Sequence, residues 1–236
     1  MLWEIARYWV SRVEFNPAQR RYEIKEVTGP DEHHPYVDNN AYTNYLVALV
    51  LNTAAKLYQR LHAEARAVSA RIGLVPDEIA EWQKVAENLY LPMLPEVGLI
   101  PQFDGYFDLS KDLQVAGGAM AKSFQMKESG LYHTSQVIKQ PDVMMLFAYL
   151  NLDFGAECYA RNWDYYEKKC ETSSSLSYPV HAICAADPAQ AESAYRYFMN
   201  AARIDLDDQH NCAWGGVHSA CAAGAQAIGE GTRLIR

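Results

Sequence analysis

Between Val27 and Asn44 the chain reads Val-Thr-Gly-Pro-Asp-Glu-His-His-Pro-Tyr-Val-Asp-Asn-Asn-Ala-Tyr-Thr-Asn. Two prolines, a glycine and a cluster of Asp and Asn make this a loop by turn chemistry, yet it carries more ionisable and amide groups than a connector needs. Asp31 and Glu32 stand at its tip, which puts a carboxyl group where it can pass a proton. A general acid working near neutral pH needs a raised pKa, and burial against Tyr36, Tyr42 or Phe103 can provide that. Asp31 either raises it further or caps backbone. The plainer reading is an acidic turn ahead of a helix. His33 and His34 are neighbours without a spaced set of further ligands, so no metal is expected.

Two further stretches suit an anion. Cys-Glu-Thr-Ser-Ser-Ser-Leu-Ser, residues 170–177, precedes a helical pattern, and hydroxyls with unpaired N–H groups at a helix start favour negative charge. Trp-Gly-Gly-Val-His, residues 214–218, opens another, where glycines allow close backbone approach and His218 can donate to an oxyanion. Two such helix starts can converge on one phosphate. The alternatives are a serine N-cap and a capping histidine.

Taken together, these motifs resemble glycoside hydrolase family 65, the kojibiose, maltose and trehalose phosphorylase family. The resemblance rests on Val-x-Gly-Pro-Asp-Glu with the following Asn-Asn and Tyr-Thr-Asn, and on Lys139-Gln140 before Pro-Asp-Val. It continues through Ser-Ser-Leu-Ser, His-Ala-Ile, Ala-Tyr-x-Tyr-Phe, Asp-Leu-Asp-Asp and Gly-x-His. It implies that Glu32 is the general acid and that Ser174, Ser175, Gly216 and His218 bind inorganic phosphate. Lys139 and Gln140 would hold the glucosyl ring.

The implied reaction is inverting phosphorolysis of an α-linked glucose disaccharide to β-glucose 1-phosphate, with phosphate as co-substrate and no cofactor. Phosphate is already an anionic nucleophile, so Asp205, Asp207 and Asp208 are free to be structural. An inverting hydrolase of the same family would instead need a carboxylate about 6.5–9.5 Å from Glu32 to activate water, and Glu171 is the candidate by motif position. A third reading is a non-catalytic fragment that binds sugar or a partner chain.

Two departures stand out. Where relatives carry Thr-x-His before the serines this chain has Cys170, Glu171 and Thr172, and its tail from Ile228 differs from the family's Gly-Phe-Gly-Gly-Leu-Arg. The family also implies a longer protein, with an amino-terminal β-sandwich, a complete (α/α)6 barrel, a Trp-Asp sugar-binding motif and frequent dimerisation. Residues 1–236 would then be the later part of the barrel, an all-α segment of antiparallel helix pairs with a few short strands in its loops. Helices made for a closed toroid leave apolar faces open, so aggregation or dependence on a partner segment is expected.

The elements that must position these groups are helical by periodicity. Leu2, Ile5, Ala6, Trp9 and Val13 share a face, and Tyr22–Val27 alternates as a short strand leading to the acidic loop. Asp38, Asn39 and Asn40 can cap the next helix, whose stripe reads Leu46, Leu49, Val50, Leu57 and Leu61. Pro76, Asp77 and Glu78 start a helix that buries Ile79, Trp82 and Val85. Leu91–Leu109 is punctuated by Pro and Gly and reads as loop with at most a small hairpin. Its aromatic and acidic groups are candidates to line a sugar site.

Further helices are expected at Pro141–Leu150, Glu157–Lys168, Ser175–Ala186, Pro188–Ile204 and His218–Ile228. The fourth would bury Ala191, Ala194, Tyr195, Phe198 and Ala202. No repeat, low-complexity tract or linker divides the chain, so one domain is expected.

A formal net charge of -8 and a pI near 5.4 argue against nucleic acid or an anionic membrane surface as partner. Five cysteines without a C-x-x-C pair suggest reduced thiols and a cytoplasmic protein. Glu4 and Arg7 interrupt the first apolar pattern, so it is no signal peptide, and no stretch is long enough to span a bilayer.

Overall fold

The computed structural model of the protein describes residues 1–60, 62–111, 131–150, 152–171, 174–186, 190–208, 211, 214, 216, 223–225 and 228. The described residues are mostly helical, with one two-stranded sheet. They fall into two compact units: one comprises Met1–Val27, Tyr36–Pro92 and Gln102–Asp104, the other Thr28–Pro35, Met93–Pro101 and Gly105–Arg236.

In the first unit, α1 (Leu2–Arg12), α2 (Ala41–Arg60) and α4 (Pro76–Asn88) pack against one another, with α3 (His62–Arg71) following α2. Asn40 caps α2: its side-chain oxygen accepts from the Thr43 amide at 3.0 Å and the Thr43 hydroxyl at 2.9 Å. Its neighbours hold the preceding turn instead. Asp38 accepts from the Glu26 amide at 3.0 Å, and Asn39, at φ 53°, donates to Asp104 at 2.7 Å. Pro76 opens α4 as expected, Glu78 reaches back to the Val75 amide at 3.1 Å, and Ile79, Trp82 and Val85 are buried. The Arg7 guanidinium grips Glu78 through two bonds of 2.6 and 2.8 Å and ties α1 to that turn.

The expected stripe on α2 is the wrong face. Val47, Ala48, Leu51, Ala54 and Ala55 are buried, whereas Leu49 is 37% exposed and Leu46, Val50 and Leu57 are half-buried. Leu61 lies outside the described residues. Both faces of α2 are apolar, and the one carrying alanines lets a neighbour come close: the Trp3 indole donates to the Ala54 carbonyl at 3.1 Å. Leu51→Ala should therefore cost about 3 kcal/mol and Leu49→Ala under about 1 kcal/mol, which urea unfolding of the two variants checks.

The strand is also shorter than expected and has an unforeseen partner. β2 (Arg21–Glu23) pairs antiparallel with β1 (Glu14–Asn16), with Phe15 opposite Tyr22. Asn16 supports the turn by accepting from the amides of Ala18 and Gln19 at 3.1 and 3.2 Å. Three residues of mixed polarity give too little alternation to declare β1 in sequence. Val27 pairs with Val37 instead, through reciprocal 2.9 Å bonds that close the base of the acidic loop.

The second unit contains α5 (Asp142–Tyr149), α6 (Ala156–Tyr166), α7 (Ser177–Cys184) and α8 (Ala191–Arg203), with α7 packed on both α5 and α8. Leu94 and Leu99 form the small hairpin contact foreseen in the Pro/Gly-rich stretch. Tyr106 is fully buried there, its hydroxyl donating to the Gln136 carbonyl at 2.8 Å, so it is core and no lining of a sugar site. Phe103, in the first unit, is buried as well.

On α8 the stripe is rotated from the expected one. Tyr197 and Ala201 are buried, Ala194 and Phe198 half-buried, and Tyr195 is 64% exposed. The Tyr197 hydroxyl donates to Glu167, a partner that the period of apolar residues does not reveal. The helix expected at 218–228 falls largely outside the described residues, of which 223–225 and 228 are helical.

Every residue of α7 is buried, including His181, whose two ring nitrogens have no hydrogen-bond partner. It sits edge-on to Trp163 and against Tyr197, with centroids 5.8 and 5.0 Å away. Burial lowers its pKa from 6.5 to about 4. The unfolded chain thus holds the proton more tightly between those values, so stability is fully present above pH 6.5 and falls as pH drops toward 4. The loss should reach about 3 kcal/mol near full protonation. Urea midpoints at pH 7 and 4.5 should differ less in His181→Leu than in the parent protein.

Candidate active site

The acidic loop, residues 28–35, belongs to the second unit although the chain on either side of it belongs to the first. Asp31 explains much of that placement. It is 1% exposed and accepts from the His33 amide at 3.1 Å and the Lys139 amide at 2.9 Å, while its other oxygen meets His34 Nδ1 at 2.6 Å. His34 Nε2 in turn lies 2.8 Å from the Ser135 carbonyl, which it reaches as a donor. The Asp31 side chain therefore builds the loop.

Segment 137–140 runs beside segment 169–171. The Ile138 amide donates to the Lys169 carbonyl at 3.0 Å, and the Glu171 amide donates to the Ile138 carbonyl at 2.8 Å. Lys139 and Gln140 thereby face the loop. The Glu32 amide donates to Gln140 Oε1 at 3.1 Å, the Gln140 amide nitrogen donates to Glu32 Oε1 at 3.0 Å, and Lys139 Nζ pairs with Glu32 Oε2. Gln140 also reaches Ser174 Oγ at 3.3 Å, and the same hydroxyl accepts from the Leu176 amide at 3.3 Å.

Four of the expected site residues, Glu32, Lys139, Gln140 and Ser174, are thus joined by direct contacts. Ser175 is partly buried one residue further on. Gly216 is exposed at φ 102°, and no hydrogen bond among the described residues links it to this group. His218 lies outside the described residues, and with it the expected meeting of two helix starts.

Of the rings expected to desolvate Glu32, Tyr36 is turned to solvent, Tyr42 is half-buried and Phe103 is buried. The Glu32 side chain is 57% exposed and Tyr36 is 80% exposed, so that ring does not desolvate the carboxyl.

The serine-rich segment is also more committed than its composition suggests. Ser177 donates to the Lys139 carbonyl at 2.7 Å, and α7 starts there, two residues later than expected. Cys170 is fully buried, its thiol pushed well above the usual range by burial and placed 3.4 Å from the same carbonyl. The cysteine fixes the position of Lys139 as a neutral group.

Sequence reasoning missed Tyr132 altogether, and it missed the pairings made by His33 and His34. His33 Nε2 meets Glu171 Oε1 at 2.8 Å, Tyr132 donates to Glu171 Oε2 at 2.9 Å, and the His33 and Tyr132 rings stack at 3.7 Å. The Asp31-x-x-His34 spacing was a usable signal for the other histidine; nothing local marks Tyr132. No group of three or more His, Cys, Asp or Glu able to hold a metal occurs among the described residues.

The family model for the glycosyl hydrolase family 65 central catalytic domain matches residues 1–227. The chain belongs to glycosyl hydrolase family 65. Among family 65 proteins, the 3-O-α-D-glucosyl-L-rhamnose phosphorylase of Lachnoclostridium phytofermentans is 54% identical over 225 residues, covering 95% of this chain and 29% of the relative. The kojibiose phosphorylase of Halothermothrix orenii is 40% identical over 229 residues, 94% of this chain and 29% of its own length. A solved structure of a human-microbiome protein assigned as a kojibiose phosphorylase superposes with a TM-score of 0.85 at 26% identity, over 95% of this chain and 31% of that one. The chain thus spans under a third of the length of these family 65 relatives.

Proposed function

We propose that this chain is the acid-bearing part of a phosphorylase that cleaves an α-glucosidic disaccharide with inversion. The observation that carries the reading is the contact set at Glu32: a carboxyl at a loop tip, met by Lys139 and Gln140, with Gln140 continuing to Ser174. Glucose hydroxyls binding Lys139 and Gln140 would replace the resting ion pair and leave Glu32 able to hold a proton. Glu32 gives that proton to the glycosidic oxygen as the C1–O bond breaks, while a phosphate oxygen bonds to C1 from the opposite face. The products are β-glucose 1-phosphate and the free sugar, and Glu32 is left ionised.

Ser174, Ser175, Gly216 and His218 are the phosphate ligands in this reading. The relatives' names, phosphorylases of glucosyl-rhamnose and kojibiose among them, support the reaction class. Hydrolysis is less well supported, because both oxygens of Glu171 are occupied by His33 and Tyr132. The helices are read as pairs from the later part of an (α/α)6 barrel, with residues 1–236 as the carboxy-terminal portion of the catalytic domain. The TM-score of 0.85 supports that architecture. No helix among the described residues is long and apolar enough to cross a membrane, and free Cys158, Cys170 and Cys184 suit a cytoplasmic enzyme.

The test is release of glucose 1-phosphate by the native protein from 3-O-α-glucosyl-rhamnose, kojibiose, maltose, nigerose and trehalose, with and without inorganic phosphate. Phosphate-dependent β-anomer from one of them is expected. Free glucose in the absence of phosphate would replace this reading with hydrolysis, and binding without turnover would leave a sugar-binding module.

A further inference from the structure

By motif position Glu171 is the carboxylate that a hydrolytic reaction would use, yet its surroundings suit a different task. It is 5% exposed, and each of its oxygens is held by a side chain: His33 at 2.8 Å and Tyr132 at 2.9 Å. His33 is 6% exposed and lies flat on the Tyr132 ring, with an interplanar angle of 11°. Its own amide is held by Asp31. The residue before it is Glu32, so His33 and Glu32 share a peptide bond.

We propose that Glu171, with His33 and Tyr132, is the positioning clamp that sets the acid Glu32 against Lys139 and Gln140. The inference rests on the reading of Glu32 as the acid and adds residues that act through it. Two facts support it. The loop 28–35 falls in the same unit as Tyr132, Lys139 and Glu171, and His33 is its residue bonded to Glu171. Glu171 is also bonded through its amide to the Ile138 carbonyl, one residue from Lys139, so the same residue registers both halves of the Glu32 contact set. A buried carboxylate held at both oxygens by buried side chains is stiff, and removing one of those partners leaves the other with its desolvation cost uncompensated. A nucleophile-activating base would instead need an oxygen turned to water.

The experiment pairs backbone amide exchange with kinetics on the native protein and its Glu171→Gln, Tyr132→Phe and Glu32→Gln variants. Glu171→Gln keeps size and removes charge; Tyr132→Phe removes one oxygen and serves if the first variant folds poorly. Exchange of the Glu32 and His33 amides should quicken about tenfold in Glu171→Gln and less in Tyr132→Phe, with the buried segment of α2 unchanged. Phosphorolysis of the disaccharide should slow by about 10- to 100-fold. Phosphorolysis of α-glucosyl fluoride, whose leaving group needs no proton, should slow by at least about fivefold less than that of the disaccharide, because a displaced acid is irrelevant to it.

Unchanged loop exchange would overturn the clamp, as would equal losses on disaccharide and fluoride. So would loss of phosphate-independent glucose release in Glu171→Gln with the loop undisturbed, which would make Glu171 the base. Disaccharide turnover that survives Glu32→Gln would instead remove the acid assignment, and leaves the exchange result to be judged by itself.

Discussion

Glu32→Gln is expected to slow phosphorolysis of the natural disaccharide by about 10²- to 10⁴-fold, the span over which a positioned general acid acts. Glutamine keeps the length of the side chain and an oxygen for Lys139 and Gln140, so sugar binding should change little and the loss should fall on kcat. Reaction of α-glucosyl fluoride with phosphate should persist, since fluoride departs without a proton. The two substrates measured side by side separate a missing proton from a damaged site: a parallel fall on both would mean that Glu32 is structural. The exposed ion pair to Lys139 predicts a second feature. Lys139→Met should weaken disaccharide binding while leaving Glu32 free of its ammonium partner, so KM rises more than kcat falls.

Asp31→Ala should be the most destabilising single change in the loop, at about 3–5 kcal/mol. The carboxylate is 1% exposed and serves three donors, the amides of His33 and Lys139 and the His34 ring. Truncation takes the Asp31 carboxylate away from the His34 ring, itself 2% exposed. Asp31→Asn keeps an oxygen for the two amides and should cost less than half as much. Chemical denaturation of the two variants against the parent measures the difference, and equal small losses would mean that the loop is held by other contacts.

Short-range signals in the chain were legible because they act through the backbone of a few neighbouring residues. Asn40 closes the first turn of α2 with its own oxygen, Pro76 has a φ already suited to the start of α4, and Ile79, Trp82 and Val85 repeat on one face of a helix whose other face is charged. The loop was equally legible as a loop. The chemistry assigned to Glu32, Lys139, Gln140 and Ser174 came from motif resemblance, and their direct contacts across 142 residues of sequence could not have been inferred from spacing.

What the sequence alone determined was where backbone conformation changes and which residues can carry charge or protons. Tertiary structure alone decided which of two apolar faces α2 buries, how far α8 is rotated, and that Glu171 is spent on His33 and Tyr132 rather than on water. The physical reason is the range of the forces involved. A cap or a proline fixes dihedral angles locally, whereas burial and the pairing of a carboxylate depend on what is brought alongside from elsewhere in the chain, and apolar periodicity is silent when both faces of a helix are apolar.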